Sequence, residues 1–277
     1  MSGILYLVGT PIGNLSDFSP RAKRTLESVD FIAAEDTRVT LKLLNYFNIY
    51  KPMVSYFEHN RVGSGQKILS RLQEGESCAL VTDAGMPAIS DPGEDLVRLC
   101  AENGVTVITV PGPCAAVSAL AASGLPTQRF CFEGFLSTSK KSRSQHLESL
   151  KEESRTMIFY EAPHKLVNTL HDMLQAFGDR KIALCRELTK LHEEVIRTTL
   201  SGAITLFEEE RYPKGEFVLI LHGAEQKNRS KLSAEEALTL VTQYREEGKS
   251  LKEAAKLAAT ESGYSKNELY DLAVKQH

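Results

Sequence analysis

The chain has 277 residues, of which 42% are hydrophobic and 25% charged, and its formal net charge at pH 7 is −3. This length suits two ordinary domains with an appendage, and the composition is that of a globular protein with hydrophobic cores. The small negative charge excludes a general polyanion binder, so any binding of nucleic acid has to use a local basic patch.

The start of the chain, MSGILYLVGTPIGN, runs directly into a strand pattern and lacks the basic start and long apolar core of a signal peptide. No window reaches the length of a membrane-spanning helix. The five cysteines, an odd number at wide spacings, fit buried free thiols in a reducing compartment. We therefore expect a cytoplasmic protein that does not bind a membrane.

Strands alternate with helices and short links through the first predicted domain, residues 1–116. The predicted strands are Ile4–Val8, Phe31–Glu35, Met53–Phe57, Cys78–Val81 and Val105–Val110. Helices are predicted to begin at Ser19-Pro20, near Val39 and after Arg61, with a further one at Glu94–Glu102. Such alternation predicts a mostly parallel sheet covered on both faces.

A small-residue helix is predicted at Ala115–Ser123, and a second α/β domain is predicted over residues 117–226. Its strands are predicted at Phe130–Phe135, Thr156–Tyr160, Ile182–Arg186, Val195–Thr199 and Phe217–Leu221. The segment 137–155 between the first two strands is polar and rich in lysine and arginine. The order of these elements predicts a mixed sheet.

From Gln226 a polar linker leads to a predicted helical module over residues 227–277. Ser233, Ser250 and Ser265 are each followed three residues later by a glutamate, and such capping boxes predict three helix starts. Gly263 lies between the last two helices, as in a helix-turn-helix. The pattern fits either a module that docks on structured RNA or a small helical cap on the second domain.

Four loops of similar character follow strand ends: Gly9–Asn14, Thr82–Gly93, Pro111–Cys114 and Tyr160–His164. Ligands of open α/β sheets bind at the carboxyl ends of strands, so we expect these loops to line one cleft between two domains. The polar groups of these loops are mainly backbone amides and carbonyls. A phosphate would call for a lysine or arginine, and the loops offer one, Lys165 beside His164. A cofactor without phosphate is therefore expected, and the absence of metal-binding motifs predicts no metal.

Six motifs, GTPIGN, EDTR, TDAGMPAISDPG, VPGPCAA, FYEAPHK and RELTK, occur in this order within residues 4–225. Together they resemble the tetrapyrrole-methylase superfamily, and within it the ribosomal RNA small subunit methyltransferase I branch, whose helical C-terminal module the tail also resembles. Porphyrin-modifying members carry a GPGD-type first loop and a GGDP-type central loop. This chain instead has TPIGN and AGMP in those loops, which favours RNA as the substrate.

The resemblance implies two α/β domains of tetrapyrrole-methylase type with the cofactor cleft between them, a homodimer, and S-adenosylmethionine as the cofactor. The implied reaction is 2′-O-methylation of a cytidine in the decoding region of 16S ribosomal RNA, with the small ribosomal subunit rather than DNA as the partner. The cofactor-binding residues implied by motif position are Pro11, Ile12, Gly13, Asp83, Ala84, Gly85, Met86, Ile89, Cys114, Ala115, Tyr160, Glu161 and Leu188.

Methyl transfer to a hydroxyl requires alignment, exclusion of water and a base near the acceptor. Candidate bases at strand ends are Glu35, Asp36, His59, Asp83 and Asp91. Asp83 and Asp91 are better explained as structural residues, because aspartates often satisfy loop amides and cap helices. The polar run that begins at Glu35, directly after an apolar strand, favours an acceptor site. We therefore expect the catalytic residues to be Glu35, Asp36, Arg38 and His59.

Basic side chains are the expected RNA contacts, because phosphate contacts position a protein on nucleic acid. Arg38 and Arg61 are placed to hold phosphates on either side of the target nucleotide, and Lys140, Lys141 and Arg143 form a second predicted contact. Two alternatives remain open, namely a small-molecule methyltransferase of porphyrin type and a non-catalytic RNA-binding factor that keeps the fold. Binding of S-adenosylmethionine separates the enzymes from the factor.

Overall fold

The structure, a computed structural model, describes residues 2–225 and 232–275, and the chain divides into two compact units between Ala224 and Glu225. The predicted linker from Gln226, with Lys227 and Arg229, lies outside the described residues. Within the described ranges no helix is long and apolar enough to cross a membrane. All five cysteines are free, as predicted, with three of them buried and two half-buried.

The first sheet of the larger unit contains β1 (Ile4–Val8), β2 (Phe31–Ala34), β3 (Met53–Ser55), β4 (Cys78–Val81) and β5 (Thr106–Val110). All neighbouring pairs are parallel, in the order β3-β2-β4-β1-β5. Every residue of β2 and β4 is buried, as expected for central strands with helices on both faces. The predicted parallel sheet is confirmed.

Helices cover both faces of this sheet: α1 (Pro20–Ser28), α2 (Thr37–Tyr46), α3 (Arg61–Gln73) and α4 (Glu94–Glu102). One core packs α3 and α4 against residues such as Leu80, and the other packs α1 and α2 against residues such as Val81. The helix α1 begins as predicted, because the Ser19 hydroxyl oxygen accepts a hydrogen bond from the backbone N–H of Ala22 at 3.0 Å.

The second sheet contains β6 (Phe130–Phe135), β7 (Thr156–Glu161), β8 (Lys181–Arg186), β9 (Glu194–Thr199) and β10 (Phe217–Leu221). Its order is β6-β7-β10-β8-β9, with β6 parallel to β7 and the other pairs antiparallel. The predicted mixed sheet is confirmed. The pairing of β6 with β7 contains a β-bulge between Phe132 and Gly134.

Helix α5 (Ala115–Ser123) covers one face of the second sheet, and its buried residues pack against β7, β8 and β10. The other face is covered by α6 (Lys140–Ser149), α7 (Leu166–Phe177) and α8 (Leu200–Thr205). Short helical turns are Leu15–Asp17, Pro163–Lys165 and Leu206–Glu210. The predicted boundary at residue 116 thus falls inside α5, and the division of this unit into domains 1–116 and 117–226 stays a prediction.

The tail consists of α9 (Ala234–Glu246), α10 (Leu251–Ser262) and α11 (Lys266–Lys275), which share one apolar cluster. All three predicted capping boxes form, each with the serine hydroxyl and the glutamate bonded to the other residue's backbone N–H. Gly263 ends α10 with a φ of 74°, a conformation that glycine adopts without strain.

Candidate active site

A cavity of ≈ 590 Å³ lies where the carboxyl ends of β1, β2 and β4 face α5 and the second sheet. Its wall draws on all four predicted strand-end loops. It includes eleven of the predicted cofactor residues, namely Ile12, Asp83, Ala84, Gly85, Met86, Ile89, Cys114, Ala115, Tyr160, Glu161 and Leu188. The other two, Pro11 and Gly13, are not part of this wall: Pro11 is buried, and Gly13 lies against the Lys190 side chain.

The loops after β1, β4 and β5 are joined through their backbones. Thr10 and Gly85 exchange two backbone hydrogen bonds, of 2.9 and 3.1 Å, and the Thr10 hydroxyl donates to the carbonyl oxygen of Thr82 at 3.2 Å. A Cβ atom on Gly9 would lie 2.7 Å from the Cα of Gly112, so these two loops pack as closely as glycine permits. This part of the wall is a rigid surface of amide and carbonyl groups.

Two apolar side chains of the wall are held by strained backbone. Ile89 lies between Ala88 and Ser90, whose φ values are 67° and 62°, and Leu188 is likewise flanked by residues with φ of 51° and 67°. Left-handed conformations of residues other than glycine cost about 1–3 kcal/mol and concentrate at functional sites. The strain therefore supports the assignment of this cavity as a binding site.

The charge of the cavity wall has one sign. Its ionisable side chains include five carboxylates, while no lysine, arginine or histidine is among the described residues that line it; the carboxylates are Glu35, Asp83, Asp91, Glu161 and Glu216. Such a wall repels phosphate and favours a ligand that carries positive charge. Among the described residues, no group of three or more His, Cys, Asp or Glu is arranged to hold a metal ion.

Asp91 has the most perturbed carboxyl group of this wall. Burial raises its pKa to about 6, and the negative charge of Glu35 adds to the effect, while a hydrogen bond with Thr82 opposes it. The Thr82 hydroxyl donates its one proton to Glu35 at 2.6 Å, and Thr82 thus lies between the two carboxyl groups. Burial raises the pKa of Asp83 too, although Asp83 accepts a hydrogen bond from the backbone N–H of Asp36 at 3.1 Å.

Three of the four predicted catalytic residues lie outside the cavity wall. Asp36 caps α2, and its carboxylate accepts two hydrogen bonds from the Arg38 guanidinium, at 3.0 and 2.6 Å. The hydrogen bonds from Arg38 lower the pKa of Asp36 to about 2, and the carboxylate and the guanidinium face each other. His59 is exposed near the ring of Phe57. Asp36 thus has a structural role as the cap of α2, and the predicted roles of Asp36, Arg38 and His59 at the acceptor site stay predictions.

Arg61 lines a second cavity of ≈ 570 Å³ that shares Asp91 with the first. Its guanidinium pairs with Glu58 at 3.1 Å and with Asp95 at 3.7 Å. Asp95 also accepts a hydrogen bond from the Tyr56 hydroxyl at 2.5 Å. Arg61 is thus neutralised locally, and its predicted contact with an RNA phosphate stays a prediction.

Arg143 is a correction to the predicted basic patch. Lys140 and Lys141 are exposed at the start of α6, but Arg143 is only 9% exposed, pairs with Asp172 at 2.6 Å and donates to the Thr169 hydroxyl at 2.9 Å. Thr169 in turn donates to Glu161, one of the predicted cofactor residues. Arg143 is therefore part of a buried network behind the cavity wall and is not available to RNA.

Several wall residues had no place among the predicted site residues, namely Thr82, Ser90, Phe135, Ala162, Pro163, Cys185, Glu216, Phe217 and Val218. Thr82 and Ser90 belong to the predicted central loop, so their position in the chain was a usable signal. Phe135 reaches the wall through the β-bulge in β6. Gly134 lies at this bulge with a φ of 63°, and a glycine inside a strand is a sequence signal for a bulge.

Comparison with known protein families gives two matches along the chain. The family described as Tetrapyrrole (Corrin/Porphyrin) Methylases matches residues 4–204, and the family described as RsmI C-terminal HTH domain matches residues 231–277. The first range covers most of the larger unit, and the second covers the helical tail.

Curated relatives named ribosomal RNA small subunit methyltransferase I match the chain over nearly its whole length. The relative from Halalkalibacterium halodurans is 50% identical over 98% of this chain and 94% of its own. The relative from Synechocystis is 48% identical over 99% of this chain and 98% of its own. Among solved structures, a uroporphyrin-III-C-methyltransferase from Thermus thermophilus covers 79% of this chain and 94% of its own, with a TM-score of 0.55 and 20% identity, which indicates a shared fold.

Proposed function

This chain belongs to the tetrapyrrole methylase family and is a methyltransferase that uses S-adenosylmethionine, and we propose that it methylates the RNA of the small ribosomal subunit. The proposed acceptor is the ribose 2′-hydroxyl of a cytidine in the decoding region of 16S ribosomal RNA. The observation that carries this proposal is the cavity of ≈ 590 Å³, in which a backbone-built surface and two neighbouring carboxyl groups lie together.

S-adenosylmethionine fits the cavity in size and in charge. The volume of ≈ 590 Å³ falls within the range of about 300–1,000 Å³ that small-molecule sites occupy. A wall with carboxylates and without phosphate-binding cations suits a ligand that carries a sulfonium and an amino group. Ala84, Gly85, Cys114 and Ala115 would hold it through the backbone, and Leu188 through apolar contact. Bound there, S-adenosylmethionine supplies an electrophilic methyl group.

Asp91 is the base of the proposed reaction, with a carboxylate oxygen that takes the proton of the acceptor hydroxyl. It lines both the first cavity and the second one, so an acceptor in the second cavity can reach it. A general base works best when its pKa lies close to the operating pH, and burial brings the pKa of Asp91 to about 6. Glu35 keeps that pKa raised through its charge.

The proposed partner is the small ribosomal subunit, and the proposed state is a cytoplasmic homodimer. The helix-turn-helix family match of the tail supports docking on RNA, with Lys249, Lys252 and Lys256 exposed on its surface. Lys140 and Lys141 are the exposed cations that remain of the second predicted contact. Sedimentation of the purified protein at several concentrations tests the dimer.

Mass mapping of 16S ribosomal RNA from a deletion strain tests the function directly. Small subunits from that strain are incubated with the purified protein and S-adenosylmethionine, and the RNA fragments are weighed. One added methyl group on a decoding-region cytidine supports the proposal. Failure of the protein to bind S-adenosylmethionine in calorimetry, or to add a methyl group to the RNA, overturns it.

A further inference from the structure

A large aromatic side chain stands exposed at the rim of the cavity. Phe135, the last residue of β6, lines the cavity and is 58% exposed. Its ring meets the ring of Tyr160 in an edge-to-face contact, with 5.4 Å between the centroids. The Tyr160 hydroxyl accepts a hydrogen bond from the backbone N–H of Ala116 at 3.1 Å, so the ring behind Phe135 is fixed at both ends.

The β-bulge determines the direction in which Phe135 points. In the observed pairing Phe135 lies opposite Tyr160, and paired residues of neighbouring strands project to the same face. If the register of Phe130–Phe132 continued without the bulge, Phe135 would pair with Glu161 and project to the opposite face, into the core formed with α6 and α7. The bulge therefore takes a phenylalanine out of a hydrophobic core and presents it to solvent at the cavity.

The bulge also brings β6 next to the proposed base. A Cβ atom on Gly134 would lie 3.4 Å from the Ser90 hydroxyl oxygen, and Ser90 directly precedes Asp91. Phe135 and Asp91 thus belong to adjoining parts of the same cavity wall.

We propose that Phe135 is the stacking platform for the base of the acceptor nucleotide, which is splayed out of its RNA strand; this inference rests on the proposed function. Sequence-specific and single-stranded RNA recognition commonly stacks unpaired bases on exposed aromatic rings. The exposure of Phe135 at the rim distinguishes it from Gly85 and Leu188, which are buried in the part of the wall assigned to the cofactor.

The test uses the full-length protein and replaces Phe135 with alanine, tyrosine or tryptophan. Phe130→Ala is the matched control, because Phe130 is 42% exposed at the other end of the same edge strand and is not part of the cavity wall. Three quantities are measured: the affinity for S-adenosylmethionine, kcat and KM for small subunits from the deletion strain, and the emission of pyrrolocytosine placed at the acceptor position.

We expect Phe135→Ala to raise KM for the small subunit by about 5- to 150-fold, the range that the loss of one base–aromatic stack implies. The affinity for S-adenosylmethionine and the salt dependence of RNA binding stay unchanged, because stacking involves no phosphate. The tyrosine and tryptophan variants restore KM, Phe130→Ala leaves it unchanged, and pyrrolocytosine is quenched by the wild type and not by Phe135→Ala.

Two results overturn this inference while the proposed function stands. One is a Phe135→Ala variant that methylates with the KM of the wild type and quenches pyrrolocytosine equally well. The other is a loss of affinity for S-adenosylmethionine in that variant, which assigns the ring to the cofactor instead. A wild-type protein that methylates no small-subunit RNA refutes the proposed function itself and is recognised before any variant is compared.

Discussion

One part of the cavity wall, the backbone end, is formed by the loops after β1, β4 and β5, which meet through backbone atoms, whereas another part, the carboxylate end, presents the carboxyl groups of Glu35 and Asp91. The backbone end depends on residues that lack a Cβ atom, such as Gly9 and Gly85, and is insensitive to charge. The carboxylate end depends on charge, because Glu35 and Asp91 act on each other through their charges. We infer from this difference that binding and chemistry can be disrupted separately.

Asp91→Asn is expected to have the largest effect, at the carboxylate end. The amide cannot accept a proton, so kcat should fall by about 10²- to 10⁴-fold, the usual contribution of general base catalysis. The affinity for S-adenosylmethionine, measured by calorimetry, should stay within a few-fold of the wild type. Asp17→Asn is the control, because Asp17 is an exposed carboxylate that lines neither cavity. Equal losses in both variants would contradict the assignment.

Gly85→Val tests the backbone end. Gly85 has a φ of +88° and exchanges hydrogen bonds with Thr10, so valine introduces about 1–3 kcal/mol of strain into the joined loops. This corresponds to S-adenosylmethionine binding that is weaker by about 5- to 150-fold in calorimetry. Gly63→Ala is the control, since a Cβ atom on Gly63 meets nothing within 4 Å. An unchanged affinity in Gly85→Val would show that this loop does not hold the cofactor.

Removal of the tail after Glu225 should have a smaller effect, which depends on salt. The tail carries exposed lysines and none of the cavity wall, so the salt dependence of small-subunit binding should flatten while the affinity for S-adenosylmethionine survives. Full methylation by the truncated protein at every salt concentration would make the tail a structural cap.

The smallest effect is expected in the pH profile of kcat. Asp91 accepts a proton only when it is ionised, so activity should be lost as the pH falls through about 6. Glu35→Gln removes a negative charge that disfavours the ionised form of Asp91, and the acidic limb should therefore move to lower pH. A limb that moves to higher pH, or stays in place, would mean that Glu35 does not act on the base.

Much of the fold and the loops of the site could be predicted from the sequence, because glycine, proline and serine caps leave local signals. Helices α6 and α7 were not predicted. The apolar residues of α7, namely Leu166, Leu170, Met173 and Phe177, follow helical spacing and could have indicated it. Helix α6 has a mostly polar sequence, in which Leu147 is the buried apolar residue. The capping role of Asp36 could have been predicted from the sequence, because aspartate is a preferred residue at the N-cap of a helix.

The chemistry of the carboxylate end was harder to predict. The raised pKa of Asp91 arises from burial and from Glu35, which lies 56 positions earlier in the chain, and neither leaves a local pattern. The burial of Arg143 follows from the packing of α6 against α7, while its sequence neighbours Lys140 and Lys141 are exposed. Such properties depend on contacts between distant segments, so residue types alone could not reveal them.

The separation of binding from chemistry is tested most directly by single-turnover methylation of small subunits with Asp91→Asn and Gly85→Val, each across a range of S-adenosylmethionine concentrations. We predict a crossed result. Asp91→Asn reaches half its maximal rate at the wild-type concentration but with a far lower maximum, and Gly85→Val needs more S-adenosylmethionine but approaches the wild-type maximum. If Asp91→Asn retained the full maximal rate, or if both variants lost affinity and rate together, the two ends of the cavity would not have these separate roles.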